Sequence, residues 1–87
     1  MGNNLNKPLK VGATIGIIGG GQLGRMLVMS GKKMGFQMIV LDPTLNSPAG
    51  QVADRQIVAA FDQISALTEL AELCDVITYE FENIEVA

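Results

Sequence analysis

A single cysteine, Cys74, sets the first limit on this 87-residue chain: no internal disulfide can form, and the usage fits a reducing cytoplasm. Basic residues are scarce as well. Six Lys and Arg, scattered singly, stand against nine Asp and Glu for a net charge of −3. Without a basic stripe there is no footprint for nucleic acid. No apolar run approaches the ~20 residues that cross a bilayer. The opening residues 1–10 lack the apolar core of a signal peptide, so no export is expected. Repeats and low-complexity segments are absent too. Length is short: a complete domain usually takes ~100–200 residues. The ending Ile84-Glu85-Val86-Ala87 starts something apolar and stops without a polar tail. The expectation is a piece of a longer working protein.

What is present is apolar and finely divided. The apolar fraction is 48%, enough to exclude disorder and high enough to suggest surface that another domain or subunit covers. Residues 1–12 mix Asn, Lys, Pro and Gly and read as a loose leader; the domain proper is expected over 13–87. Thr14-Ile15-Gly16-Ile17-Ile18 is a continuous apolar run ending in glycines, the pattern of a strand buried on both faces. A helix is predicted over 22–34, with Leu23, Met26, Leu27 and Met34 on one face and Gly35 as its C-terminal breaker. Gln37-Met38-Ile39-Val40-Leu41 is a second buried strand, stopped by Asp42-Pro43. Turn chemistry fills 43–50 and a short turn runs through Val52-Ala53-Asp54. A weaker third strand covers 56–59. Asp62 is placed to cap a helix carrying Ile64, Leu67, Leu70, Ala71 and Cys74, and 75–79 is the fourth strand. Cys74 reads as a small packing residue, with no base beside it.

Short connections and right-handed crossovers turn this order into an open parallel α/β sheet, Rossmann-like, with strand order 3-2-1-4. In such sheets ligands bind beyond the carboxyl ends of the strands, where the order reverses. Here that point lies between the first and fourth strands.

Two segments meet at that point. Gly19-Gly20-Gly21-Gln22-Leu23-Gly24 follows a strand, opens a helix and matches G-x-G-x-x-G. Gly19 permits the tight turn, Gly21 lets backbone approach a phosphate, and Gly24 lets the helix lie close on the sheet. The helix start then offers N–H donors and partial positive charge to an anion. Arg25 follows in the first turn, placed either to reach a phosphate or a neighbouring domain, or simply to sit in solvent. Asp42 ends the second strand, about twenty residues beyond the loop, where dinucleotide enzymes keep the acid that binds a ribose hydroxyl. It is equally placed to cap the turn that Pro43 begins.

The other segment is Thr78-Tyr79-Glu80-Phe81-Glu82-Asn83. Glu80 and Glu82 point to one side of an extended chain, with Phe81 on the other. A carboxylate beside bound pyrophosphate would repel it by roughly 4 kcal/mol at ~4 Å and an effective dielectric near 20. A ligand with a phosphate at one end and an amine at the other would suit both segments. The alternative for either glutamate is a solvated strand end.

The run from Ile15 to Met26, with Leu41-Asp42-Pro43, Ser47-Pro48-Ala49, Val52-Ala53-Asp54 and 76–83, resembles the opening of the 5-(carboxyamino)imidazole ribonucleotide synthases, the ATPase subunit of phosphoribosylaminoimidazole carboxylase. These are ATP-grasp ligases of purine biosynthesis. The resemblance implies a pre-ATP-grasp domain that does not hold NAD. It implies a full-length enzyme, expected to be a homodimer, that uses ATP, Mg²⁺ and bicarbonate to carboxylate the exocyclic amine of 5-aminoimidazole ribonucleotide. Gly20, Gly21, Gln22 and Leu23 would hold the substrate's ribose phosphate, and Glu80 would contact its aminoimidazole. Arg25, Asp42, Tyr79 and Glu82 are secondary candidates. The ATP-grasp and C-terminal domains are absent from this sequence, so the resemblance assigns this fragment no catalytic residue, metal or cofactor. Two other readings stay open: an NAD-binding fragment of an oxidoreductase, and a module that senses a phosphorylated metabolite.

Overall fold

The computed structural model describes residues 10–80. Its elements are β1 (Thr14–Ile18), α1 (Gln22–Lys33), β2 (Gln37–Leu41), β3 (Arg55–Ile57), α2 (Ile64–Leu73) and β4 (Val76–Tyr79). The four strands form one parallel sheet in the order β3-β2-β1-β4, as the sequence predicts. The two central strands hold half of the core: Ile17, Val40 and Leu41 are fully buried and Ile18 nearly so. Each such side chain contributes about 1.5–3 kcal/mol when removed from water.

Alternation along the strands divides the core in two. Ile17, Met38 and Val40 pack with Val28 of α1 and Ala49 on one face. Ile18, Ile39, Leu41 and Ile57 pack with Ala66 and Leu70 of α2 on the other. β4 is the open edge, with Val76, Ile77 and Tyr79 all exposed. Met26 of α1, Met34 just past its end and Ile64 of α2 are also open to solvent.

The packing face of α1 differs from the sequence expectation. Gly24, Val28 and Gly31 are its buried residues, while Leu23, Met26 and Met34 are exposed and Leu27 is half-buried. Backbone, not bulk, makes this contact: a Cβ on Gly24 would collide with the carbonyl of Gly19, and one on Gly31 with the side chain of Met38. The helix end is as expected. Gly35 has φ +91°, its N–H bonds Lys32 O at 3.0 Å and that of Phe36 bonds Gly31 O at 3.0 Å. That pair of bonds satisfies two carbonyls the helix leaves open.

α2 does not use Asp62 as its cap. Gln63 occupies that position, and its carbonyl accepts the N–H groups of Ala66 and Leu67 at 3.1 and 3.0 Å with no side-chain cap. Asp62 lies one residue too early, in the preceding turn. Ile64 and Ala71 of the expected apolar face are exposed, and Ala66 joins Leu70 in the core. β3 is displaced as well: it covers Arg55–Ile57, because Arg55 pairs with Ile39 and strand pairing ends at Leu41 with Ile57.

Cys74 packs as expected, its Sγ close against the Gly16 backbone beside Leu70. Burial, with a smaller push from Asp75, raises its thiol pKa. A thiol raised on folding favours the folded state below its unfolded pKa and loses that contribution as pH climbs through the folded value. Alkylation by iodoacetamide at pH 8, followed by mass spectrometry, is expected to run several-fold slower on the native chain than in urea. Equal rates would contradict this packing.

Candidate anion-binding site

The glycine loop leaves the carboxyl end of β1. Gly19 takes φ +115°, a conformation side chains resist, and its N–H bonds Leu41 O at 3.0 Å, extending the β1–β2 ladder by one step. α1 begins at Gln22 with Gly21 as an uncharged cap, and no acidic side chain lies in its first turn. Arg25 is where the bonding of the helix takes hold, its N–H reaching Gly21 O at 2.9 Å. A helix leaves its first amides without intrahelical acceptors, and the Gly21 and Gln22 amides lead into that turn. The Gln22 side chain is exposed beside them.

Glu80 stands one strand away. Ile18 pairs with Tyr79, and the Glu80 N–H bonds Ile18 O at 2.8 Å, so Glu80 sits level with the first residue of the glycine loop. Thr78 lines the α1 side of the sheet, and its hydroxyl donates to Glu80 Oε2 at 3.1 Å. Glu80 is thereby held, half-buried, on the same face as the start of α1. Tyr79 alternates to the opposite face and is exposed. The structure brings Gly20, Gly21, Gln22, Leu23 and Glu80 to one edge and keeps Tyr79 apart. Glu82 lies outside the described residues.

Asp42 faces the glycine loop. Its Oδ2 accepts the Gly20 N–H at 2.7 Å and its Oδ1 accepts the Thr44 N–H at 2.8 Å. It caps the turn, as one of its two readings has it, and also ties that turn to the loop, which neither reading contained. Arg25 is likewise occupied. Its Nη1 donates to Pro48 O at 3.0 Å and lies 3.5 Å from Gln51 Oε1, so it is not a free surface arginine.

Sequence reasoning gave no role to the residues that complete this tie. Ser47 is buried and its Oγ accepts the Gly50 N–H at 3.0 Å. Gln56 Nε2 donates to Asp42 O at 3.2 Å and Thr44 O at 2.7 Å, and the Ala49 N–H bonds Gly20 O at 2.8 Å. Their only signal was Ser47-Pro48-Ala49 within the family resemblance.

An apolar cavity of about 130 Å³ lies farther along α1, lined by Ile15, Ile17, Leu27, Gly31, Met34 and Thr78 among others. It offers a phosphorylated ligand nothing to bond. Among the described residues no three His, Cys, Asp or Glu side chains converge to hold a metal, and no helix is long and apolar enough to cross a membrane.

Fold and site together define a parallel α/β domain whose glycine loop and carboxylate share the edge where strand order reverses. The model of the ribonucleotide synthetase preATP-grasp domain matches residues 12–87, and the chain belongs to that family. N5-carboxyaminoimidazole ribonucleotide synthase of Brucella melitensis biotype 1 is 62% identical over 79 residues, which is 91% of this chain and 22% of that protein. Its counterpart in Staphylococcus aureus strain COL is 58% identical over 81 residues, 93% of this chain and 21% of that protein. The crystal structure of the Staphylococcus aureus N5-carboxyaminoimidazole synthetase complexed with ADP matches with a TM-score of 0.82 at 57% identity, over 88% of this chain and 21% of that one. A further ADP complex of an N5-carboxyaminoimidazole ribonucleotide synthetase reaches 0.83 at 60% identity, over 88% and 20%. This chain spans about a fifth of the length of these relatives.

Proposed function

We propose that this chain is the substrate side of an ATP-dependent ligase that carboxylates 5-aminoimidazole ribonucleotide with bicarbonate in purine biosynthesis. The observation that carries the reading is the Glu80 N–H bond to Ile18 O, which sets a carboxylate beside an amide-rich turn. Gly20, Gly21, Gln22 and Leu23 surround the ribose phosphate, with the Gly21 and Gln22 amides as donors. Glu80 accepts hydrogen bonds from the aminoimidazole amine. Glu82 supplements it, and Arg25 and Asp42 support the site without touching the ligand; Tyr79, on the opposite face, takes no part.

The engagement of Asp42 with Gly20 and Thr44 speaks against a dinucleotide site, where that acid is needed by a ribose. ATP, Mg²⁺ and the groups that activate bicarbonate belong, in this proposal, to the rest of the full-length polypeptide. The domain occupies 13–87, behind a leader over 1–12. The whole enzyme works in the cytoplasm as a homodimer.

Supplied with ATP, bicarbonate and 5-aminoimidazole ribonucleotide, the 87-residue chain is expected to form no carboxylated product and no ADP. The polypeptide extended through the ATP-grasp domain is expected to form both. Turnover by the short chain alone, or NADH fluorescence that changes on mixing with it, would overturn this assignment.

A further inference from the structure

We infer that Asp42 is a positioning residue for phosphate recognition: with the backbone of Ala49 it clamps Gly20 from both sides and so fixes the direction of the Gly21 N–H. The inference rests on the proposed function and deepens it.

The Gly20 N–H is held by Asp42 Oδ2 at 2.7 Å, and the Gly20 carbonyl by the Ala49 N–H at 2.8 Å. A trans peptide keeps C=O and the following N–H antiparallel, and among the described residues every peptide is trans. Holding Gly20 O against Ala49 therefore turns the Gly21 N–H away from residues 43–51, outward from the loop. Without these two bonds a run of three glycines would sample many orientations, and an anion would have to order it on binding.

The clamp is itself rigid. Thr44 N–H holds the second oxygen of Asp42, and Gln56 ties the Asp42 and Thr44 carbonyls together. Arg25 bonds Pro48 O from the first turn of α1, tying the segment over 43–51 to the helix as well. Contact is close: a Cβ on Gly20 would collide with Ser47 Oγ and meet Asp42 Cβ at 2.9 Å. Asp42 thus acts on a phosphate through the Gly20 peptide, without touching it.

The test compares wild type, Asp42→Ala and Asp42→Asn in the full-length polypeptide. Binding of 5-aminoimidazole ribonucleotide is measured against that of its nucleoside, which lacks only the phosphate. Asp42→Ala is expected to weaken the nucleotide about tenfold or more and the nucleoside less than about twofold, the loss expected for one charge-assisted hydrogen bond. Asp42→Asn keeps one acceptor oxygen and is expected to recover most of the nucleotide affinity, with KM for ATP unchanged in both variants.

Equal losses for nucleotide and nucleoside would make Asp42 a ribose ligand and overturn the inference. A fall in Tm with no change in either affinity would make it merely structural, with the same result. Amide NMR with inorganic phosphate separates the inference from the reading beneath it. If wild type shifts the Gly21 resonance with phosphate, Asp42→Ala does not, and neither binds the ribonucleotide, the substrate assignment falls and the clamp stands. If wild type binds neither ligand, both fall.

Discussion

Replacing Glu80 with Ala in the full-length polypeptide is expected to raise KM for 5-aminoimidazole ribonucleotide roughly 10–100-fold while leaving KM for ATP within about twofold. The size follows from hydrogen bonds to a charged group, worth about 1.5–3 kcal/mol when one partner is removed. The split follows from position. Glu80 stands at the edge shared with the glycine loop, and its carboxylate is held there by the Thr78 hydroxyl at 3.1 Å. The backbone bond from Glu80 N–H to Ile18 O survives the substitution, so little stability should be lost. Thr78→Val, which frees the carboxylate without deleting it, is expected to raise the same KM by only about two- to tenfold. Steady-state kinetics with each substrate varied in turn decides the matter. An unchanged KM for the ribonucleotide in Glu80→Ala would remove Glu80 from the site.

The second large effect is on stability. Gly24→Val is expected to cost about 3 kcal/mol, the upper part of the range for overpacking. The atom in the way is the carbonyl oxygen of Gly19, which is backbone and cannot rotate aside, with the Ala49 side chain on the other flank at 3.4 Å. Accommodating a side chain there means lifting the start of α1 off β1. That lift also moves the amides at the start of the helix, the proposed phosphate donors. A fall in Tm of roughly 12–24 °C would correspond to that cost in a chain of this size. Gly31→Ala is the matched control on the same helix. Its Cβ meets the flexible end of Met38, which can swing, and alanine favours a helix by about 1 kcal/mol over glycine. Its stability should stay within about 1 kcal/mol of wild type by urea unfolding. Similar losses in the two variants would mean that α1 does not rest on the Gly19 peptide.

These two glycines also mark where reading the sequence stopped short. Periodicity picks out large apolar residues, so Leu23, Met26 and Met34 looked like the inner face of α1. The sheet instead receives Gly24, Val28 and Gly31: Gly24 rests on the Gly19 backbone where the loop turns into the helix, and Gly31 leaves room for the Met38 side chain. Asp62 failed as a cap for a related reason: cap preference is a local energy of about 1 kcal/mol, and packing of Ala66 and Leu70 on the sheet set the start of α2 one residue later.

The apolar runs of β1 and β2, the breakers after them and the short connections were enough to determine a parallel sheet in the order 3-2-1-4, since burial on both faces and crossover handedness leave few arrangements. The glycine spacing and Thr78-Tyr79-Glu80 likewise placed donors and a carboxylate at one edge from sequence alone. What each polar side chain bonds to was decided only by the tertiary structure. Asp42 joins the glycine loop at Gly20 to the turn at Thr44, and Arg25 bonds the segment over 43–51 through Pro48 O. Hydrogen-bond partners far apart in sequence follow from the path of an irregular turn, and no periodicity records that path.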